Sequence, residues 1–427
     1  MALNTELILT LKNLKGCGNK TVLSIAEVAT SQVQTIDDLC HFWTTLKGKK
    51  FEKYTATDLQ EANRKALTCI NDAEREGVGI ISYYEEAFPQ ILRETINEDG
   101  NTDAPLILFY RGNIKALQMP GIAIIGTREP TEAGTQAGIY FAEKFAEQGF
   151  NIVSGLAIGC DTTGHQGALN VKGTTTAFLA NGLDWESIYP KENLELAKNI
   201  VESGGLLLSE YPVGQRGNRY TLVERDRLQA GLSYATLVIQ TGLRGGTMHA
   251  VNATLKAQKP LFMIRYKNMD GQIGGKAEGN KKFLEEGKAH ALTSGSLEEA
   301  LGIIRESVEK HDVATFEKHV DMDTLYTKAF DDGIVAVDKI QGDGTLSNPL
   351  AVGFLQMLKP PVVAALKNET IEYIKGEKEN KAQSNNKADD FAQGMKSKSG
   401  VDNSKLKDIT VVSKENSEAR VALTRYN

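Results

Sequence analysis

Three short glycine-bearing runs place arginines, hydroxyls and backbone amides where they could meet a phosphate. The first, Gly126-Thr127-Arg128-Glu129-Pro130-Thr131, follows the apolar run Ile122–Ile125. Glycine lets a strand end turn tightly, Thr131 has the side chain of a helix cap, and a helix start offers N–H groups and the positive end of a dipole. Arg128 reaches the same space. In the second run, Val153-Ser154-Gly155-Leu156-Ala157-Ile158-Gly159-Cys160-Asp161, small residues at 154, 155, 157 and 159 permit close approach of a ligand or a neighbouring loop. The third, Gln240-Thr241-Gly242-Leu243-Arg244-Gly245-Gly246-Thr247, opens a helical stretch and reads as an anion nest. Each run alone is explained by packing. Three on neighbouring strand–helix units point to a shared pocket that holds phosphate and reads no base code.

Other chemistry is not encoded in a usable pattern. Cys17, Cys40, Cys69 and Cys160 form no CxxC pair, and the six histidines lack metal-ligand spacing, so neither metal nor cofactor is expected. No GxGxxG follows the first strand, which argues against a dinucleotide. Asp161 and His165 are close in sequence, but turn and helix-packing roles explain them. The net charge of −6 confines phosphate contacts to a pocket, since a protein gripping nucleic acid along a broad face is usually basic. No apolar run reaches the length of a membrane span, and the first residues lack a signal-peptide pattern. A cytoplasmic protein with no membrane partner and free thiols is the expectation.

The elements that must carry the three runs follow from periodicity. Residues 1–75 read as a helical domain: LILTLKNL, TVLSIAEVAT and DLQEANRKALTCINDAEREG have apolar residues near helical spacing. Between the first two, Leu14-Lys15-Gly16-Cys17-Gly18-Asn19-Lys20 reads equally as a helix–hairpin–helix or as a plain helical hairpin. Within 76–300, six short apolar runs, Ile122–Ile125, Ile152–Val153, Thr176–Leu179, Leu206–Leu208, Ala235–Ile239 and Leu261–Ile264, alternate with amphipathic stretches. That pattern predicts an α/β, Rossmann-like, doubly wound and mostly parallel sheet, with ligands beyond the carboxyl ends of its strands. Residues 301–368 read as a small C-terminal region, 369–407 as a disordered linker poor in apolar residues, and 408–427 as a tail, read equally as a docking strand or an interaction tail.

The motifs resemble those of the DNA-processing protein A (DprA/Smf) family. Gly126-Thr127-Arg128 looks like its G-S/T-R turn, and VSGLAIGCDTTGHQGAL (153–169) is similar to its S-G-L-A-R-G-I-D-x-x-A-H signature. The run from Gly173 through GLDWESIYPKEN to Leu207-Leu208-Ser209-Glu210-Tyr211-Pro212 keeps the family's order, and Gly279–Gly287 resembles its closing segment. Phe88–Leu92 and Pro105–Asn113 look like the lead-in, so the likeness runs collinearly over about residues 75–295. It implies a non-catalytic protein that binds single-stranded DNA at the strand ends, forms a homodimer and helps load a recombinase. Carried over by position, Arg128 with the backbone of Gly126 and Thr127 would hold phosphate. Ser154, Gly155, Gly159 and Asp161 would shape the second loop, and Lys191 would add a cation. Arg225 and Arg227 would be the arginines of the family's R-N-R, with Asp226 between them.

The chain departs from that pattern in its pocket. Ile158 replaces an arginine, Asp226 replaces the asparagine between the arginines, and Leu222-Val223 replaces a Phe-Pro. Arg244-Gly245-Gly246-Thr247 returns an arginine at a new place, and no winged-helix tail is recognisable. Two further readings follow. One is an antitoxin that neutralises a cognate phosphoribosyltransferase-like toxin in a phage-defence module. The other is a nucleotide-cleaving enzyme, disfavoured because Ala250 stands where the related enzymes need a glutamate.

Overall fold

The computed structural model describes residues 3–29, 33–97, 99–267, 274–330, 349–374, 406–415 and 418–425. Five helices open the chain: α1 (Thr5–Lys12), α2 (Asn19–Val28), α3 (Ile36–Trp43), α4 (Lys49–Glu52) and α5 (Ala56–Arg75). Asn4 caps α1, and Thr35 and Thr55 close capping boxes with Asp38 and Asp58. Gly16 turns the chain between α1 and α2 at φ +78°, a conformation that favours glycine. That turn is covered, since the Tyr54 hydroxyl donates to the Lys15 carbonyl at 2.6 Å.

The sheet follows. Its strands are β1 (Gly79–Ser82), β2 (Ile107–Gly112), β3 (Gly121–Ile125), β4 (Asn151–Ser154), β5 (Thr175–Leu179), β6 (Leu206–Ser209), β7 (Ser233–Val238), β8 (Leu261–Ile264) and β9 (His290–Leu292). They lie in the order β1-β2-β6-β5-β4-β3-β7-β8-β9. From β6 to β9 all pairs are parallel, while β1 and β2 extend one edge antiparallel. The six strands expected from apolar runs are β3 to β8. Their residues are buried on both faces, which is why they read as continuous rather than alternating. Between β1 and β2 lies the short α6 (Gln90–Arg93). The crossovers are α7 (Glu132–Glu147), α8 (Cys160–Asn170), α9 (Leu194–Glu202), α10 (Arg219–Leu232), α11 (Thr247–Lys256) and α12 (Glu278–Glu285). The strand order reverses at β3, whose neighbours are β4 and β7, and this is the switch point of a doubly wound sheet.

The chain divides into two compact units, Met1–His311 and Asp312–Asn427. In the first, one hydrophobic cluster runs from Leu3 and Leu7 of the helical segment to Ile107, Ala177 and Leu207 of the sheet. Residues 1–75 and 76–300 therefore differ in secondary structure but share a core. The second unit contains the end of α13 (Leu297–His319), helix α14 (322–330), α15 (Pro349–Ile374) and an antiparallel hairpin of β10 (Leu406–Glu415) and β11 (Glu418–Arg425). Lys367 pairs with Asp323 at 3.0 Å, and Tyr326 hydrogen-bonds Thr370. Of the linker read at 369–407, residues 369–374 end α15, 406 and 407 open β10, and the rest lies outside the described residues. Among the described residues no helix is long and apolar enough to cross a membrane.

Candidate functional site

The loops after β3, β4 and β7 are bonded to one another at the switch point. The Thr127 amide donates to the Gln240 carbonyl at 2.8 Å, and the Cys160 amide donates to the Thr127 carbonyl at 3.1 Å. Gln240, fully buried at the end of β7, staples the start of α7: its Oε1 accepts from the Thr131 amide at 2.9 Å and its Nε2 donates to Thr131 Oγ1 at 2.8 Å. Thr131 caps α7 by accepting from the Gly134 amide. The amides of Thr127 and Thr131 are thus committed to structure rather than to a ligand. Gly159 has φ +88°, and a Cβ there would strike the carbonyls of Thr127 and Arg128, so only glycine lets the first two loops touch. Leu156 sits at φ +78°, a costly conformation for a branched residue, held by Asn193 Nδ2 donating to its carbonyl at 2.9 Å.

These loops enclose a cleft of about 320 Å³ lined by Gly126, Thr127, Arg128, Asp161, Arg225, Asp226, Gln229, Arg244, Gly245, Gly246 and Thr247, among others. An adjoining recess shares Arg128 and Arg225 and is lined by Gly155, Ile158, Tyr189 and Leu222. Arg128 and Arg244 are exposed and form the rim. No side chain caps the start of α11 at Gly246, so that helix opens into the cleft on backbone alone.

The floor is charged and buried. Arg225 is 5% exposed, and its Nη1 donates to the carbonyls of Gly155 and Phe178, each at 2.6 Å. Its Nε donates to Asp226 Oδ1 at 3.1 Å. Burial pushes the Asp226 carboxyl up to about 6, with Arg225 pulling it back and Asp161 adding to the rise. Asp161, 6% exposed, accepts from the Ala157 amide at 3.2 Å, and burial raises its carboxyl despite Arg225. His165 lies one helical turn further along α8. Burial and Arg225 hold it neutral, down to about 3, and its Nδ1 meets Thr175 Oγ1 at 2.7 Å. That is a packing role.

Four residues expected at the site lie elsewhere. Ser154 is buried behind the cleft, donating to the Ile124 carbonyl at 2.6 Å, and Gly159 joins loops rather than lining the cavity. Lys191 extends to the Glu186 carbonyl at 2.6 Å, outside the cleft lining. Residues 225–227, carried over together as one phosphate-binding group, are the middle of α10, and positions two apart on a helix face different ways. Arg227 accordingly points away, to Glu210 at 2.9 Å and Asp103 at 2.7 Å. Sequence reasoning missed Gln229 and Gln240. Gln229 stands one helical turn after Arg225 and Asp226, and that spacing is the signal that could have placed it. Gln240 carries no comparable signal.

A family model described as DNA recombination-mediator protein A matches residues 79–300. Protein Smf of Escherichia coli is 34% identical over 189 residues, 44% of this chain and 49% of that protein. Protein Smf of Synechocystis is 35% identical over 249 residues, 57% and 59% of the two chains. DNA processing protein DprA of Streptococcus pneumoniae is 33% identical over 193 residues, 45% and 65%. The chain therefore matches between about half and just under two thirds of the length of these relatives. The solved structure of DNA processing protein A from Streptococcus pneumoniae superposes with a TM-score of 0.56 at 25% identity, covering 69% of this chain and 97% of that one.

Proposed function

Because the chain belongs to the DNA recombination-mediator protein A family, we propose that it binds single-stranded DNA in the cleft outside β3, β4 and β7, without catalysing a reaction on it. The observation that carries this reading is the convergence of three glycine loops on one cleft, with the exposed Arg128 and Arg244 and the uncapped start of α11 in its lining. Phosphate binds at Arg128, Arg244 and the amides of Gly245, Gly246 and Thr247. Gly126 and Thr127 shape the first loop, and Gly155 and Gly159 the second, while Arg225 locks loop two to α10. Absence of catalysis is supported by Asp161 being tied to a backbone amide and by Ala250 lying in the cleft where related nucleotide-cleaving enzymes carry a glutamate.

Homodimer formation and a recombinase partner extend the reading by family resemblance. The antitoxin alternative rests on the sequence departures from the family pattern and ranks below it. Titration of a fluorescent oligo-dT from low to moderate salt tests the proposal. Few cations line the cleft, so the slope should correspond to about two to four released ions. No binding at low salt removes the reading.

A further inference from the structure

We propose that the floor of the cleft is a base-reading subsite selective for guanine, in which Asp226 and Gln229 accept the two N–H donors on the base's pairing edge. The proposal rests on the cleft holding single-stranded DNA, and it replaces the expectation of a pocket that reads no base code with one that prefers a nucleotide.

Gln229 is the first support. It is 2% exposed, lines the cleft, and its Nε2 donates to Asp226 Oδ1 at 3.2 Å. Its Oε1 meets no donor among the described residues. The carboxylate next to it accepts only, which sets the amide with its nitrogen toward Asp226 and its oxygen away. A buried acceptor left in this state is unfavourable until a ligand donor reaches it.

Asp226 is the second. Arg225 Nε and Gln229 Nε2 both serve its Oδ1, leaving Oδ2 on the side of the α11 loop, where a Cβ on Gly246 would lie 3.5 Å from it. Burial pushes this carboxyl up to about 6 although Arg225 and His249 oppose the rise, which marks a carboxylate short of donors. Asp161 adds a third acceptor to the same lining. The cleft is therefore polarised, with exposed arginines and backbone N–H groups at its mouth and, at its base, these acceptors beside an Arg225 whose Nε and Nη1 are already committed to Asp226 and two carbonyls.

A nucleotide entering base-first matches that polarity, and 320 Å³ falls at the small end of ligand-pocket volumes. The four bases differ in what they bring to two adjacent acceptors. Guanine presents N1–H and the 2-amino group side by side. Thymine has one N–H flanked by carbonyls. Adenine and cytosine each set a ring-nitrogen lone pair beside their amino group, and it would face an acceptor. Guanine alone satisfies both positions.

The test compares oligo-dT with the same oligomer carrying one central dG, or one central deoxyinosine, which lacks the 2-amino group. Binding is read by fluorescence anisotropy at neutral pH and low salt, with calorimetric titration of dGMP and dTMP as a second arm. The dG oligomer should bind roughly tenfold tighter than oligo-dT, with inosine between them. Asp226→Asn and, independently, Gln229→Met should cut the dG advantage to about twofold or less. Equal affinity for all three oligomers overturns the subsite and leaves DNA binding standing. A dG preference that survives both substitutions also overturns it, because the base is then read elsewhere. Binding of dGMP over dTMP without oligomer binding supports the subsite and removes the DNA reading; silence in both arms removes both.

Discussion

Helix α10 carries two arginines two residues apart, and its two faces are built on opposite plans. On one face Arg227 is closed in: Glu210 takes both terminal nitrogens, Asp103 takes Nε, and Lys12 lies within the same field. Charges there balance, and the network faces the helical segment and the edge of the sheet. On the other face Arg225 serves two carbonyls and Asp226, with Asp161 close by, leaving more acceptors than donors and an open side toward the cleft. The closed face fixes the fold, whereas the open one keeps capacity for a ligand. Identical residue types in one helical turn thus divide between structure and binding according to what surrounds them.

Breaking the closed face should have the largest effect. Arg227→Ala strands the Glu210 carboxylate, 13% exposed, without its partner. Removing one member of a buried pair costs about 3–5 kcal/mol, so urea unfolding should shift by that amount while the folded fraction still binds oligo-dT. A loss of DNA affinity without a loss of stability would reverse the assignment of the two faces.

Asp226→Asn probes the open face and should act oppositely, as a stabiliser. Its carboxyl rises on folding from an ordinary 3.8 to about 6, so ionised Asp226 costs stability above that range and nothing below it. Wild-type stability from this group therefore falls as pH rises from about 4 to 6. The substitution should match wild type at pH 4 and exceed it by roughly 2–3 kcal/mol at pH 8. Thermal unfolding at both values measures this, and equal midpoints at pH 8 would show that Asp226 is not short of donors.

The smallest effects belong to the rim. Arg244→Ala should weaken oligo-dT binding by about 1 kcal/mol and reduce the salt slope by about one ion, with stability unchanged because the side chain is exposed. Lys191→Ala is the control expected to do neither, since its ammonium sits on the Glu186 carbonyl away from the cleft. A Lys191 effect equal to that of Arg244 would extend the binding surface beyond the three loops.

The apolar runs by themselves determined β3 to β8, because strands buried on both faces must be continuously apolar. They also placed three glycine loops at one end of the sheet, since parallel strands joined by helices carry their carboxyl ends together. β1, β2 and β9 escaped that signal: they lie at or next to the sheet's edges and are short or only partly buried. Tertiary structure alone decided which residues face the cleft. Arg225 and Arg227 are equivalent as letters, and only the helical geometry of α10 sends them to opposite sides. Gln240 acts through Thr131, 109 residues away, and the orphaned oxygen of Gln229 exists only because Asp226, on the same face of α10, fixes its amide. Local sequence sets backbone form through short-range sterics and burial. Which hydrogen bonds are left unmade depends on how every surrounding element packs, and only the assembled fold supplies that.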